Sequence, residues 1–254
     1  RDQVTRAGFS RAVIGLSGGI DSALACTLAA EALGPQNVLA VRMPYVTSAP
    51  DSLSDAQKAI DMTGVQALTI PITPMVEPLI VRDPHISPIR RGNIMARMRM
   101  VVIFDQSAAF GGLVVGTGNK TEALLGYTTL YGDSACAFNP LGDLYKTQVR
   151  QMAREVNLPE SIQSKAPSAD LWIGQTDEGE LGYTYAEVDR LLFLLVDQHL
   201  SPAQCVRSGF AEKMVRAVID RIRRNRFKSL LPPVARLDPN TVENDLSFLQ
   251  EWGD

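Results

Sequence analysis

Short apolar runs alternate with longer amphipathic stretches along the first half of the chain. Residues 11–16, 37–43, 65–70 and 112–117 are the apolar runs, and they predict strands. The first, R-A-V-I-G-L, has no polar alternation, as a strand buried on both faces of a parallel sheet requires. Between them, residues 21–33, 51–63 and 90–111 repeat their apolar positions at helical spacing. Gly34-Pro35, Pro44, Gly64 and Pro71 punctuate these segments. Residues 1–10 read as a short helical lead-in, and 73–88, with four prolines, as an irregular loop holding one short helix. Further helices are predicted over 119–125, 143–156, 184–196, 201–208 and 211–224. The stretch 165–180 has no period and reads as a functional loop. The order β-α-β-α-β predicts an α/β fold, an open doubly wound parallel sheet flanked by helices. One domain is expected over 1–254, with an ordered core over about 10–233 and a C-terminal tail over 234–254.

Composition narrows the function classes. Of the 254 residues, 45% are hydrophobic and 21% charged, which is ordinary for a globular chain, and the net charge of −3 gives no reason to expect nucleic acid as a partner. No apolar run is long enough to span a membrane, and no signal-peptide pattern is present. Cys26, Cys136 and Cys205 are far apart and odd in number, so a reducing, cytoplasmic setting is expected. The sequence starts at Arg1 rather than Met, so something upstream is expected to be missing.

The chemistry concentrates at the first strand–helix turn, V-I-G-L-S-G-G-I-D-S over 13–22. A glycine turn opening a helix leaves backbone N–H groups unpaired, where an anion fits. Gly18 and Gly19 let the backbone approach that anion, and Ser17 and Ser22 add hydroxyl donors. Asp21 does not belong in a site for an anion alone; a carboxylate beside phosphates calls for a bridging Mg²⁺. The loop lacks the Gly-Lys-Ser/Thr ending of a Walker motif. It resembles the S-G-G-x-D-S loop of the ATP pyrophosphatases, which cleave ATP between its α- and β-phosphates. In an open parallel sheet, ligands lie beyond the C-terminal strand ends. There the sequence sets Arg42 after the second strand, and Thr117-Gly118-Asn119-Lys120-Thr121-Glu122 after the fourth. Glu122 reads equally as a second metal carboxylate or as a first-turn acid favoured by the helix dipole.

Seven ordered stretches extend the resemblance to a family, the NAD synthetases. They are L-S-G-G-I-D-S at 16–22, A-R-M-R-M at 96–100, V-V-G-T-G-N-K-T-E at 114–122, L-G-Y-T-T-L-Y-G-D at 125–133, N-P-L-G-D-L-Y-K-T-Q-V at 139–149, K-A-P-S-A-D-L at 165–171 and E-L-G-Y-T-Y at 180–185. The resemblance implies an adenine nucleotide alpha-hydrolase-like fold and ATP-dependent amidation of deamido-NAD through an adenylate, with ammonia as donor. It implies that Gly15, Leu16, Ser17, Gly18, Gly19, Ile20, Asp21 and Ser22 bind ATP, together with Arg42, Thr117, Lys146 and Ser168. Asp21 and Glu122 are then the Mg²⁺ ligands, Arg97 and Lys228 the deamido-NAD contacts, and Asp21, Lys146 and the loop residue Asp170 the catalytic set. It also implies a homodimer with deamido-NAD at the subunit interface.

The chain departs from some relatives on the substrate side, with Leu130 where they carry Lys, Ala137 where they carry Asp, and Phe227 where they carry His. The basic run Arg221 to Lys228 reads either as part of the substrate site or as a solvated helix end. On the predicted 90–111 helix, Arg90 and Arg97 share a face while Arg97 and Arg99 lie nearly opposite, so only part of that set can face one ligand. Three alternatives stay open: the synthetase half of a glutamine-using enzyme, an ATP pyrophosphatase with another acceptor, and a nucleotide sensor without turnover.

Overall fold

The computed structural model describes residues 1–167 and 176–230. A parallel four-stranded sheet, ordered β3-β2-β1-β4, is built from β1 (Ala12–Gly15), β2 (Val38–Arg42), β3 (Gln66–Thr69) and β4 (Leu113–Val115). Ala12 pairs with Val38 on one side and with Leu113 on the other. The chain therefore winds outwards from β1 to β3, then returns to place β4 on the opposite flank of β1. The strand order reverses between β1 and β4, and that switch point is where an open α/β sheet forms its crevice.

Helices cover both faces, which is why β1, and β2 as far as Val41, can be apolar without alternation. On one face α2 (Ile20–Leu33), α3 (Pro50–Thr63), α7 (Lys146–Glu155) and α8 (Glu160–Gln163) pack over Ala12, Ile14, Val38 and Ala40. On the other, α4 (Thr73–Ile80) and α5 (Pro88–Phe110) pack over Val13, Leu39, Val41 and Val114. A third apolar cluster joins α6 (Lys120–Leu125) to α10 (Tyr185–Leu192), α11 (Pro202–Arg207) and α12 (Glu212–Asn225). The first helix, α1 (Asp2–Arg6), is a single turn before β1.

The departures from the sequence-based reading have local causes. The expected 143–156 helix starts at Lys146, because 139–145 is folded as turns in which Asn139 Oδ1 accepts from Leu141 N and Leu141 O accepts from Leu144 N. The expected 184–196 helix changes pitch at Leu192 and continues as a wider π-type turn, Phe193–Asp197. α4 carries Pro78 in its second turn and forgoes one helical N–H bond there, at an exposed position. The short α9 (Asp177–Leu181) occupies the end of the expected 165–180 loop; residues 168–175 lie outside the described residues. The Leu231-Pro232-Pro233 stop and the expected tail also lie outside them.

Candidate active site

The pyrophosphate loop leaves β1 at Gly15 and enters α2 through Gly19, its N-cap. Gly18 adopts φ +83°, which favours glycine, and its Cα faces the first turn of α3 so closely that a Cβ would lie 2.1 Å from Ser52 O. The serines hold the loop in shape. Ser22 Oγ accepts from Ser17 N (3.2 Å) and donates to Gly19 O (3.0 Å), while Gly19 N donates to Ser17 Oγ (3.2 Å). Leu16 and Ile20 are buried beneath it.

Asp21, in the first turn of α2, meets the products of the fourth strand. Asn119 Nδ2 donates to Asp21 Oδ1 (3.0 Å), and Lys146 Nζ binds Asp21 Oδ2. Glu122 Oε1 lies 3.7 Å from the same ammonium. Asn119 and Glu122 also cap α6: Glu122 N donates to Asn119 Oδ1 (3.0 Å) and Asn119 N to Glu122 Oε2 (3.2 Å). Glu122 thus both caps α6, the first-turn role open in the sequence, and stands in a charged site with Asp21 and Lys146.

Three charges in so small a volume perturb one another. Burial raises Glu122 to about 8, and the Asp21 charge adds to it against the opposing pull of Lys146. Burial pulls Lys146 down, but Asp21 and Glu122 outweigh it and hold it above the ordinary lysine value, so it stays an ammonium. Asp177, also buried, is pushed up by burial and held by the hydroxyls of Tyr127 (3.2 Å) and Tyr185 (3.0 Å). The Lys146 Nζ lies 5.4 Å from the centre of the Tyr185 ring, which closes the wall behind it.

Asp21 and Glu122 offer hard oxygen ligands. Among the described residues no group of three His, Cys, Asp or Glu is gathered for a metal. A magnesium ion would fit here as it does in nucleotide enzymes, with one or two carboxylates from the protein and the rest of its shell from phosphates and water.

The other expected residues fall into two groups. Arg42, at the end of β2, donates from Nη1 to Gln57 Oε1 (2.6 Å), and its buried Nε has no partner among the described residues. Thr117 lies between β4 and the Asn119 cap. Arg97 and Lys228 come from distant helices onto one segment. Arg97 Nε donates to Leu130 O (3.2 Å), and Lys228 Nζ to Gly126 O (2.7 Å) and Thr128 O (2.8 Å). Leu130, in that segment, is half-buried, while Ala137 and Phe227 are exposed. Ser168 and Asp170 lie outside the described residues. Asn119 and Thr121 stood in the sequence only as members of the 117–122 stretch, without roles of their own, and Asp177 and Asp189 were not named at all. The Asn119-to-Glu122 spacing did carry a legible capping signal.

A glycine loop at the switch point of a parallel sheet, faced by a lysine and two carboxylates, defines a nucleotide-binding α/β protein of the adenine nucleotide alpha-hydrolase-like class. Within that class the chain belongs to the NAD synthase family, whose model matches residues 1–232. The NH3-dependent NAD+ synthetase of Trichlorobacter lovleyi is 52% identical over 253 residues, covering 100% of this chain and 93% of its own. Among solved structures, NMN synthetase from Francisella tularensis aligns with TM-score 0.82 at 32% identity over 93% of each chain. The NH3-dependent NAD synthetase from Campylobacter jejuni, solved with nitrate, aligns with TM-score 0.78 at 33% identity, covering 92% of this chain and 93% of that one.

Proposed function

We propose that the chain amidates deamido-NAD to NAD, with ATP as co-substrate and ammonia as nitrogen donor. The observation that carries this reading is the buried Lys146 ammonium between Asp21 and Glu122, beside the glycine loop at the switch point. A carboxylate is a poor acceptor for ammonia. In the proposed first step the nicotinate carboxylate oxygen attacks the α-phosphorus, the bond to the β-phosphate breaks, and pyrophosphate leaves. Backbone N–H groups of the Ser17–Ser22 loop and the Lys146 ammonium stabilise the charge on the leaving group. Arg42 and Thr117 contact ATP, with Ser168 completing that set. Asp21 and Glu122 would hold Mg²⁺, which when bound would supply further charge neutralisation on the phosphates. Arg97 and Lys228 bind deamido-NAD. Asp170 is assigned to the catalytic set by the family resemblance. Ammonia then attacks the activated carbonyl carbon, AMP leaves, and one proton is lost.

The test is a stoichiometric assay of the purified chain with ATP, Mg²⁺, deamido-NAD and ammonium. One NAD, one AMP and one pyrophosphate per cycle are expected, and Asp21→Asn should lose this turnover. Pyrophosphate release that needs a different acceptor, or a nitrogen supply met only by glutamine, would overturn the reading. A second reading, amidation of the nicotinate mononucleotide, is favoured by the likeness to the Francisella NMN synthetase structure. Comparing kcat/KM for the mono- and dinucleotide decides between them. We further read the chain as one domain and as a homodimer. A cytoplasmic setting is supported by its three free cysteines, two of them buried. Among the described residues no helix is long and apolar enough to cross a membrane.

A further inference from the structure

The helix starts that carry Glu122 and Lys146 are tied together by residues outside the proposed machinery. α7 begins at Lys146 after Tyr145, a residue without a short capping side chain, so the first N–H groups of the helix need acceptors from elsewhere. They find them at long range. Lys146 N donates to Thr121 Oγ1 (3.0 Å), and Thr147 N donates to Asp189 Oδ2 (2.8 Å). The Thr121 hydroxyl in turn donates to Asp189 Oδ1 (2.6 Å). Thr121 is fully buried and Asp189 only 3% exposed. A buried carboxylate is costly unless its lone pairs are used, and both oxygens of Asp189 are used on the starts of α6 and α7. A second clasp follows one pitch change later. Asp197, closing the π-type turn, accepts from Lys120 Nζ (2.7 Å) and from the Tyr145 hydroxyl. Lys120 N donates to Leu144 O (2.8 Å), which completes the tie.

Each of these bonds ends within two residues of Glu122 or of Lys146. We infer that Asp189, acting through the Thr121 hydroxyl, is a positioning residue for the reaction: it fixes the Lys146 ammonium relative to Glu122 and the pyrophosphate loop. This inference rests on the proposed function for its kinetic readout but not for its structural one. Misplacing a charged group by an ångström is enough to cost about a hundredfold in rate without changing how substrate is held elsewhere.

Three variants test it. Thr121→Val keeps the volume and removes the hydroxyl, Thr121→Ser keeps the hydroxyl, and Asp189→Asn replaces one acceptor by a donor. With saturating ATP, Mg²⁺, deamido-NAD and ammonium, Thr121→Val and Asp189→Asn should lower kcat by about thirtyfold or more. The KM for deamido-NAD should stay within about twofold. Thr121→Ser should remain within about threefold of wild type. The Val/Asn double variant should be no worse than the poorer single one, since both break one chain of bonds. A crystal structure of Thr121→Val should show the Lys146–Glu122 separation moved from 3.7 Å by an ångström or more. The inference falls if Thr121→Val and Thr121→Ser are equally impaired, if kcat per folded molecule is unchanged while melting temperature drops, or if that separation is retained. It also falls if neither Thr121→Val nor Asp189→Asn folds, because the role is then stability alone. A wild-type chain that turns over no deamido-NAD would instead sink the proposed function, and the structural readout would still judge this one.

Discussion

Gly18 and Glu122 set the two chemical demands of the site at single positions. Gly18 has φ +83° and no room for a Cβ against Ser52 O, a backbone atom that cannot swing away. Gly18→Ala should therefore cost roughly 2 kcal/mol or more, from the left-handed backbone plus displacement of α3, and should weaken ATP binding. Urea denaturation and ATP titration on the same variant check both. Glu122 titrates at about 8 rather than at the ordinary 4.5, chiefly because it is buried and then because Asp21 is charged. Its folded value is raised, so the free protein holds a proton on this cluster between those two pH values. The stability this proton contributes is fully present below pH 4.5, falls through the window, and is lost as pH rises through 8. A magnesium–ATP complex needs the carboxylate form. Binding at pH 7 should then release about one proton, and affinity should rise from pH 6 towards pH 8. Calorimetry in buffers of different ionisation enthalpy reads this directly, and Glu122→Gln should abolish the release. A heat of binding independent of buffer would contradict the assignment.

At the scale of elements, Tyr185 shows how the wall behind Lys146 is held. It is fully buried at the start of α10, and its hydroxyl donates to Asp177 Oδ2 (3.0 Å) on α9. Tyr185→Phe keeps the ring and removes the donor, leaving a buried carboxylate short of one partner. A loss of about 1–3 kcal/mol in denaturant unfolding is expected, and no loss would mean that water replaces the hydroxyl. This contact also marks where the sequence stops being informative. The strands, the glycine loop and α2, α3, α5 and α6 are legible because apolar period, glycine and proline act within a few residues of one another. The Asn119–Glu122 cap belongs to the same local grammar. By contrast, Asn119 meets Asp21 across 98 positions and Thr121 meets Asp189 across 68, and no local spacing encodes either pairing. α9 escapes for another reason: five residues carry too short a period to separate a helix from a polar loop. The strand-end argument grouped Asp21 with Glu122, and the resemblance to the NAD synthetases added Lys146, groupings that periodicity alone could not make.

For the whole molecule, one stripe of α5 leaves apolar side chains at the surface. The buried residues of this helix, including Met95, Val102 and Ile103, pack under the sheet. Arg97, Val101, Phe104 and Ala108 are exposed and spaced four, three and four apart, so they line a single outer face. Val101 keeps 53% of its surface and Phe104 40%, which is costly for apolar side chains facing water. If the chain pairs with a second copy through this face, Arg97 lies on the same stripe as the apolar contact. The deamido-NAD contact assigned to it would then sit at the edge of the interface. Two outcomes should therefore move together. Light scattering on the wild type should give about twice the 27.7 kDa chain mass. Replacing Val101 and Phe104 together by Glu should halve that mass and raise KM for deamido-NAD, while ATP binding at the β1–β4 switch point persists. A wild-type mass of one chain would remove the interface. A monomeric double variant with unchanged KM would keep the dimer but detach it from the substrate site, leaving Arg97 to act within its own subunit.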